Sequence, residues 1–194
     1  MLILLGPSAS GKTESAKIMV NRYPISRVVT STTRPKRINE IEGFDYHFLS
    51  EDDFIMKEKK QYFAETAIYN GFRYGTPLNE LNDDKLIILE PKGLKSFLEL
   101  KKCVIVAIFL KTQEEKRIER MMERKDNPVD IKKRIESDRI DFNLDEIKGL
   151  DLVIDTTNIT LPNLADKVYQ SYKDILKEKQ QGYKQISLFY EGSE

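Results

Sequence analysis

The sequence predicts an α/β fold with a mainly parallel sheet flanked by helices. Two observations carry this expectation. Short apolar runs alternate with helical patterns along the chain, and a glycine-bearing loop joins the first run to the first helical stretch. Leu2–Leu5, 86–89, 103–110 and 152–154 are short, almost wholly apolar, and read as buried strands. Residues 13–21 follow the loop as a helix. Glu51–Lys59 opens with Ser50 as N-cap and Asp53 three residues on, close to a capping box. Helices over 113–124 and 129–142 flank the turn Asp126-Asn127-Pro128. In 161–176, Leu161, Leu164, Val168, Tyr172, Ile175 and Leu176 share one helix face at spacings of three and four. Residues 30–80 differ: they are rich in Thr, Arg, Tyr, Phe and Gly, with alternating pieces such as Tyr46-His47-Phe48. They read as a small β-rich insertion within one domain. Beyond Lys177 the chain is polar until 186–190, and an edge strand and a loose tail both stay open.

Composition narrows the function classes. The 194 residues suit one domain, and 40% hydrophobic content with nine Tyr and nine Phe supports a sizeable core. Thirty-two basic residues balance 32 acidic ones, so the basic excess of a duplex-binding domain is missing. Cys103 is the only cysteine and reads as a buried structural thiol; with one histidine, no zinc ligand set can be assembled. No apolar stretch approaches the ~18 residues of a membrane span, and the start of the chain leaves no room for a signal peptide. The expectation is a cytoplasmic, soluble domain with no nucleic-acid or membrane partner.

The strongest signal is Gly6-Pro7-Ser8-Ala9-Ser10-Gly11-Lys12-Thr13, between a predicted strand and a predicted helix. Glycines let backbone N–H groups converge on phosphates, and the helix N-terminus adds its positive dipole end. Lys12 is placed to reach the β- and γ-phosphates, and the Thr13 hydroxyl to ligate Mg²⁺. The segment reads as a nucleoside-triphosphate site. The Asn-Lys-x-Asp motif with which regulatory GTPases read guanine is missing, so a small phosphotransferase leads.

A second group of residues follows: Thr30-Ser31-Thr32-Thr33-Arg34-Pro35-Lys36-Arg37, Glu40-Ile41-Glu42-Gly43-Phe44-Asp45-Tyr46, Phe63-Ala64-Glu65 and Tyr74-Gly75-Thr76. Arg34 and Arg37 can grip a monophosphate with planar, bidentate forks, and Tyr46 and Tyr74 can add hydroxyl donors. The Glu65 carboxylate can accept from both N1–H and the 2-amino group of guanine, whereas adenine would set a lone pair against it; such mismatches can yield ~10⁴-fold discrimination. Thr76, with Thr30 or Ser31, can meet guanine O6.

Together with the phosphate loop, these pieces resemble the guanylate kinase family over nearly the whole chain. The resemblance implies a P-loop nucleoside monophosphate kinase fold. Its core is expected at about 1–30, 77–112 and 143–180, with an acceptor-binding insertion at about 31–76, a helical lid at about 113–142 and a tail at about 181–194. It implies phosphoryl transfer from ATP to GMP or dGMP with Mg²⁺, by an in-line mechanism. Gly6, Ser8, Ala9, Ser10, Gly11, Lys12 and Thr13 would bind ATP. Thr30, Ser31, Arg34, Arg37, Tyr46, Glu65, Tyr74, Gly75, Thr76 and Glu90 would bind the acceptor. Arg120, Arg124 and Arg134 match lid arginines that join Lys12 and Arg34 in catalysis; Arg117 has no such match, and that of Arg139 is weaker.

The chain departs from the family pattern after residues 86–89. Where guanylate kinases carry Asp-x-Asp-x-x-Gly, this chain has Glu90-Pro91-Lys92-Gly93, shorter and with a single acid. Glu90 can still serve near Mg²⁺. The missing second acid keeps open a kinase of the same scaffold acting on another nucleoside monophosphate or a ribose phosphate. A non-catalytic binding module of the same family is the remaining reading, and the intact Gly11-Lys12-Thr13 speaks against it.

Overall fold

A computed structural model describes residues 1–36, 38, 40–69 and 71–191, with residue 69 and residues 183–191 described as backbone only. The chain runs through β1 (Leu2–Leu5), α1 (Lys12–Arg22), β2 (Ser26–Arg27), β3 (Ser31–Thr32), β4 (His47–Phe48) and α2 (Glu51–Lys59). It continues through β5 (Phe63–Tyr69), β6 (Phe72–Pro77), a 3-10 turn at Leu78–Glu80, β7 (Lys85–Ile88) and α3 (Pro91–Leu100). The remaining elements are β8 (Val106–Lys111), α4 (Glu114–Glu123), α5 (Pro128–Asp141), β9 (Leu152–Asp155) and α6 (Leu161–Glu191).

The larger sheet is parallel throughout, in the order β2-β7-β1-β8-β9. Its central strand β1 is buried on both faces, and side-chain alternation splits it between two cores. Leu2 and Leu4 pack with Ala16 and Met19 of α1 and Leu164, Val168 and Tyr172 of α6. Ile3 and Leu5 pack on the opposite face with Leu94 and Phe97 of α3. The smaller sheet has the order β4-β3-β6-β5, with β3 and β4 parallel and the other pairs antiparallel. Its strands fall within residues 31–77, the segment whose composition set it apart. Ser50 caps α2 by accepting from the Asp53 N–H, as the sequence predicts.

Three elements depart from expectation. Helix α3 is absent from the sequence reading, because Pro91 and Gly93 look like loop residues; Pro91 instead occupies the first helical turn, where its missing N–H costs nothing. The strand expected over 103–110 is β8, beginning only at Val106. Cys103 lies on the approach to it, half-buried rather than fully enclosed, with its thiol pushed up by burial. The segment beyond Lys177 is neither an edge strand nor a loose tail: α6 continues to Glu191. Its Lys, Glu and Gln residues are good helix formers, and one glycine, Gly182, costs only about 1 kcal/mol. Lys179 ties this extension down through the Ile105 carbonyl and Asp151, both at 2.7 Å. Among the described residues no helix is long and apolar enough to cross a membrane.

Candidate active site

The phosphate loop leaves β1 at its C-terminal end and runs into α1. Gly6 is required where the loop turns: a Cβ there would run into the Leu110 carbonyl oxygen on the neighbouring strand. Gly11 has φ 97°, the left-handed conformation that lets the backbone enter α1. Ala9 adopts φ 60° at the tip. Lys12 folds back over the loop, its ammonium donating to the Gly6 and Pro7 carbonyls. Burial lowers its pKa from 10.5 to about 8, against the opposing pull of the Asp138 and Glu90 carboxylates. A cavity of about 350 Å³ opens beside the loop, lined by Ala9 to Glu14 together with Arg120, Glu123, Arg124 and Leu161.

The predicted lid arginines divide. Arg120 donates to the Ala9 carbonyl at 3.1 Å and the Thr156 carbonyl at 2.9 Å, which fixes it against the loop. Arg124 lines the cavity but pairs with Asp126 at 2.7 Å. Arg134 meets the same Asp126 at 3.2 Å, at the turn of the hairpin, and is not among the cavity-lining residues. Arg139 pairs with Glu114.

A second cluster gathers on the smaller sheet. Ser31 pairs with Gly75 across β3 and β6, and Glu65 pairs with Thr76 across β5 and β6. The buried Thr76 hydroxyl donates to Glu65 Oε1 at 2.9 Å. Burial pushes the Glu65 carboxyl upward, partly countered by this hydrogen bond. Thr30, immediately before β3, is half-buried. Arg34 lies over the Tyr46 ring, 5.5 Å from its centre, and pairs with Glu40 at 2.6 Å. The Tyr46 and Tyr74 rings meet edge to face at 6.1 Å. Arg37 lies outside the described residues.

Glu90 is exposed at the N-cap of α3, near enough to the loop for its charge to act on Lys12. Thr13 is exposed in the first turn of α1. Among the described residues no cluster of three or more His, Cys, Asp or Glu could cage a metal. The Thr13 hydroxyl and the Glu90 carboxylate are exposed oxygen donors of the type a hard cation such as Mg²⁺ accepts.

Two residues at the loop fall outside the expected site: Arg117, set aside for want of a family match, and Asp138. Arg117 of α4 and Asp138 of α5 are 5% and 8% exposed and form an ion pair at 2.6 Å against Ser8. The available signal was that Arg117 precedes Arg120 by three residues, on the same face of α4.

A family model for guanylate kinase matches residues 1–179. The chain belongs to the guanylate kinase family. Over 189 residues it is 30% identical to the guanylate kinase of Chlorobium luteolum, covering 93% of this chain and 94% of that protein. With the guanylate kinase of Lawsonia intracellularis it shares 41% identity over 78 residues, 40% of this chain and 37% of that protein. The crystal structure of guanylate kinase from Anaplasma phagocytophilum aligns with a TM-score of 0.64 at 23% identity, covering 91% of this chain and 85% of that one. The fold is thus the P-loop nucleoside monophosphate kinase fold, and membership of the family makes the chain a nucleotide-binding transferase of the kinase class.

Proposed function

We propose that the protein transfers the γ-phosphoryl group of ATP to GMP or dGMP, giving ADP and GDP or dGDP. The observation that carries the acceptor is the half-buried Glu65 carboxylate, set beside Thr76 on the smaller sheet. One Glu65 oxygen already accepts from the hydroxyl, and guanine supplies two adjacent N–H donors for the carboxylate. Adenine does not. Arg34 would exchange Glu40 for the acceptor phosphate, with Arg37, Tyr46 and Tyr74 completing the grip and Thr30, Ser31 and Gly75 lining the base.

On the donor side, the amides from Ala9 to Thr13 and Lys12 would hold the triphosphate on a loop shaped by Gly6 and Ser8, with Lys12 exchanging the Gly6 and Pro7 carbonyls for phosphate oxygens. Thr13 and Glu90 would help hold Mg²⁺, which would supply charge neutralisation on the donor phosphates. An acceptor phosphate oxygen attacks the γ-phosphorus in line, and the bond to the β–γ bridging oxygen breaks with ADP leaving. Arg120, Arg124 and Arg134 would stabilise charge on the transferring group, the latter two by leaving Asp126 as α4 and α5 close as a lid. Residues 31–76 then serve as the acceptor-binding insertion and 113–142 as the lid on a single-domain core. A triphosphate donor and a lone thiol suit the reducing cytoplasm.

The test is ADP release with ATP, Mg²⁺ and a panel of GMP, dGMP, AMP, CMP, UMP and dTMP. Turnover confined to GMP and dGMP is expected. The short Glu90–Gly93 segment favours one rival, a kinase for another acceptor. Preference for AMP or a pyrimidine nucleotide would establish that rival and remove Glu65 from base selection.

A further inference from the structure

A loop that binds an anion through its N–H groups must keep its carbonyls turned away, because each carbonyl oxygen carries negative partial charge. Turned away and shielded from water, those carbonyls need donors of their own. Here the carbonyls from Gly6 to Gly11 all have one. Lys12 serves Gly6 and Pro7, Arg117 serves Ser8 at 3.4 Å, and Arg120 serves Ala9 at 3.1 Å. The Thr156 hydroxyl serves Ser10 at 3.1 Å, and the Ser15 hydroxyl serves Gly11 at 2.8 Å.

Ser8 is the residue held most completely. Its N–H donates to Asp138 Oδ2 at 2.9 Å, its hydroxyl to Asp138 Oδ1 at 3.3 Å, and its carbonyl accepts from Arg117. Arg117 in turn donates to Asp138 Oδ2 at 2.6 Å. One loop residue is thus fastened to both helices of the hairpin by a buried charge pair. We propose that Arg117 and Asp138 are positioning residues of the phosphate loop, holding Ser8 so that the following amides face the donor phosphates.

Two features favour this over a purely structural pair. A buried carboxylate beside an anion site would repel the anion unless neutralised, and Arg117 neutralises it. The Arg117 Nε is buried without a hydrogen-bond partner, so the guanidinium is placed for its contacts with Ser8 and Asp138 at the expense of complete pairing. The proposal rests on the donor-site reading above but not on the identity of the acceptor.

The test compares the wild-type protein with Asp138→Asn, Arg117→Met and the double variant Arg117→Met/Asp138→Ala. Each is measured for melting temperature, for Kd toward a fluorescent ADP analogue, and for kcat and both KM values. Apolar replacement of a whole buried ion pair is often tolerated by the fold, so the double variant should melt close to wild type. Its Kd for the ADP analogue should nevertheless weaken at least tenfold, with the acceptor KM unchanged. Arg117→Met alone should bind worse than the double variant, because it strands the Asp138 charge beside the phosphates. A double variant with wild-type Kd and kcat overturns the proposal. Should that variant not fold, Asp138→Asn decides. It preserves shape and one acceptor oxygen, and unchanged Kd and kcat there overturn the proposal equally. Wild-type protein that binds the analogue yet turns over no GMP would sink the acceptor reading alone, and the loop assignment would still be decided by the Kd comparison.

Discussion

Gly75→Ala adds one methyl group where the structure has no space for it. The new Cβ would stand 2.9 Å from Cδ1 and Cγ of Phe63 and 3.0 Å from Cζ of Phe54. Neither ring can swing aside easily: Phe54 is fully buried, and the two rings stack with centroids 4.5 Å apart. Ordinary contact begins at 3.4 Å, so β6 must retreat by about 0.5 Å or the rings must shift. Overpacking of this kind costs roughly 1–3 kcal/mol. At about 2–4 °C per kcal/mol for a chain of this size, the melting temperature should fall by roughly 2–12 °C. The retreat also carries Thr76, the next residue, away from Glu65 and stretches their 2.9 Å hydrogen bond. Losing such a bond is worth about 1 kcal/mol, or a rise of roughly fivefold in acceptor KM. Calorimetry and steady-state kinetics with each substrate varied in turn would measure both effects. The donor KM should stay at its wild-type value. An unchanged melting temperature together with an unchanged acceptor KM would refute the packing argument, and equal changes in both KM values would refute the link to Thr76.

Further outcomes are expected at Glu65 and Lys12. Glu65→Gln replaces a charged acceptor with an amide that sets N–H groups against guanine N–H groups. Charge-assisted hydrogen bonds contribute about 1.5–3 kcal/mol each, so the acceptor KM should rise roughly a hundredfold with the ATP KM unaffected; equal losses for both would move Glu65 out of the base pocket. For pH, Lys12 in the unliganded protein should lose its proton as pH rises through about 8. Affinity for ADP measured without Mg²⁺ should therefore weaken above that point, and Lys12→Ala should abolish both the break and phosphoryl transfer. Because the unfolded chain keeps the Lys12 proton up to about 10.5, this group makes the unliganded protein more stable as pH climbs from 8 to 10.5. A binding profile with no break between about pH 7 and 9.5 would contradict the buried, back-folded Lys12.

Local patterns were legible along the chain. The loop from Gly6 to Thr13, the apolar run Leu2–Leu5, the Ser50 cap and the face shared by Leu164, Val168 and Tyr172 depend on neighbours in sequence, so spacing alone exposes them. Helix α3 was hidden because Pro91 and Gly93 signal a turn until Leu94 and Phe97 find the second core beneath the sheet. The extension of α6 was hidden because its support, such as Lys179 on Asp151, comes from residues distant in the chain.

The sequence by itself determined which residues could do the chemistry: a lysine and a hydroxyl after a glycine-rich turn, arginines for phosphates, and a carboxylate for a base. Tertiary structure alone decided how they are employed. It committed Arg120 to loop and Thr156 carbonyls, joined Arg124 and Arg134 to Asp126, and brought Arg117 and Asp138 onto Ser8 from 109 and 130 residues away. A buried charge has to find its partner in space. Sequence periodicity reports which side of a helix a residue occupies, but what waits on that side depends on how the helix packs.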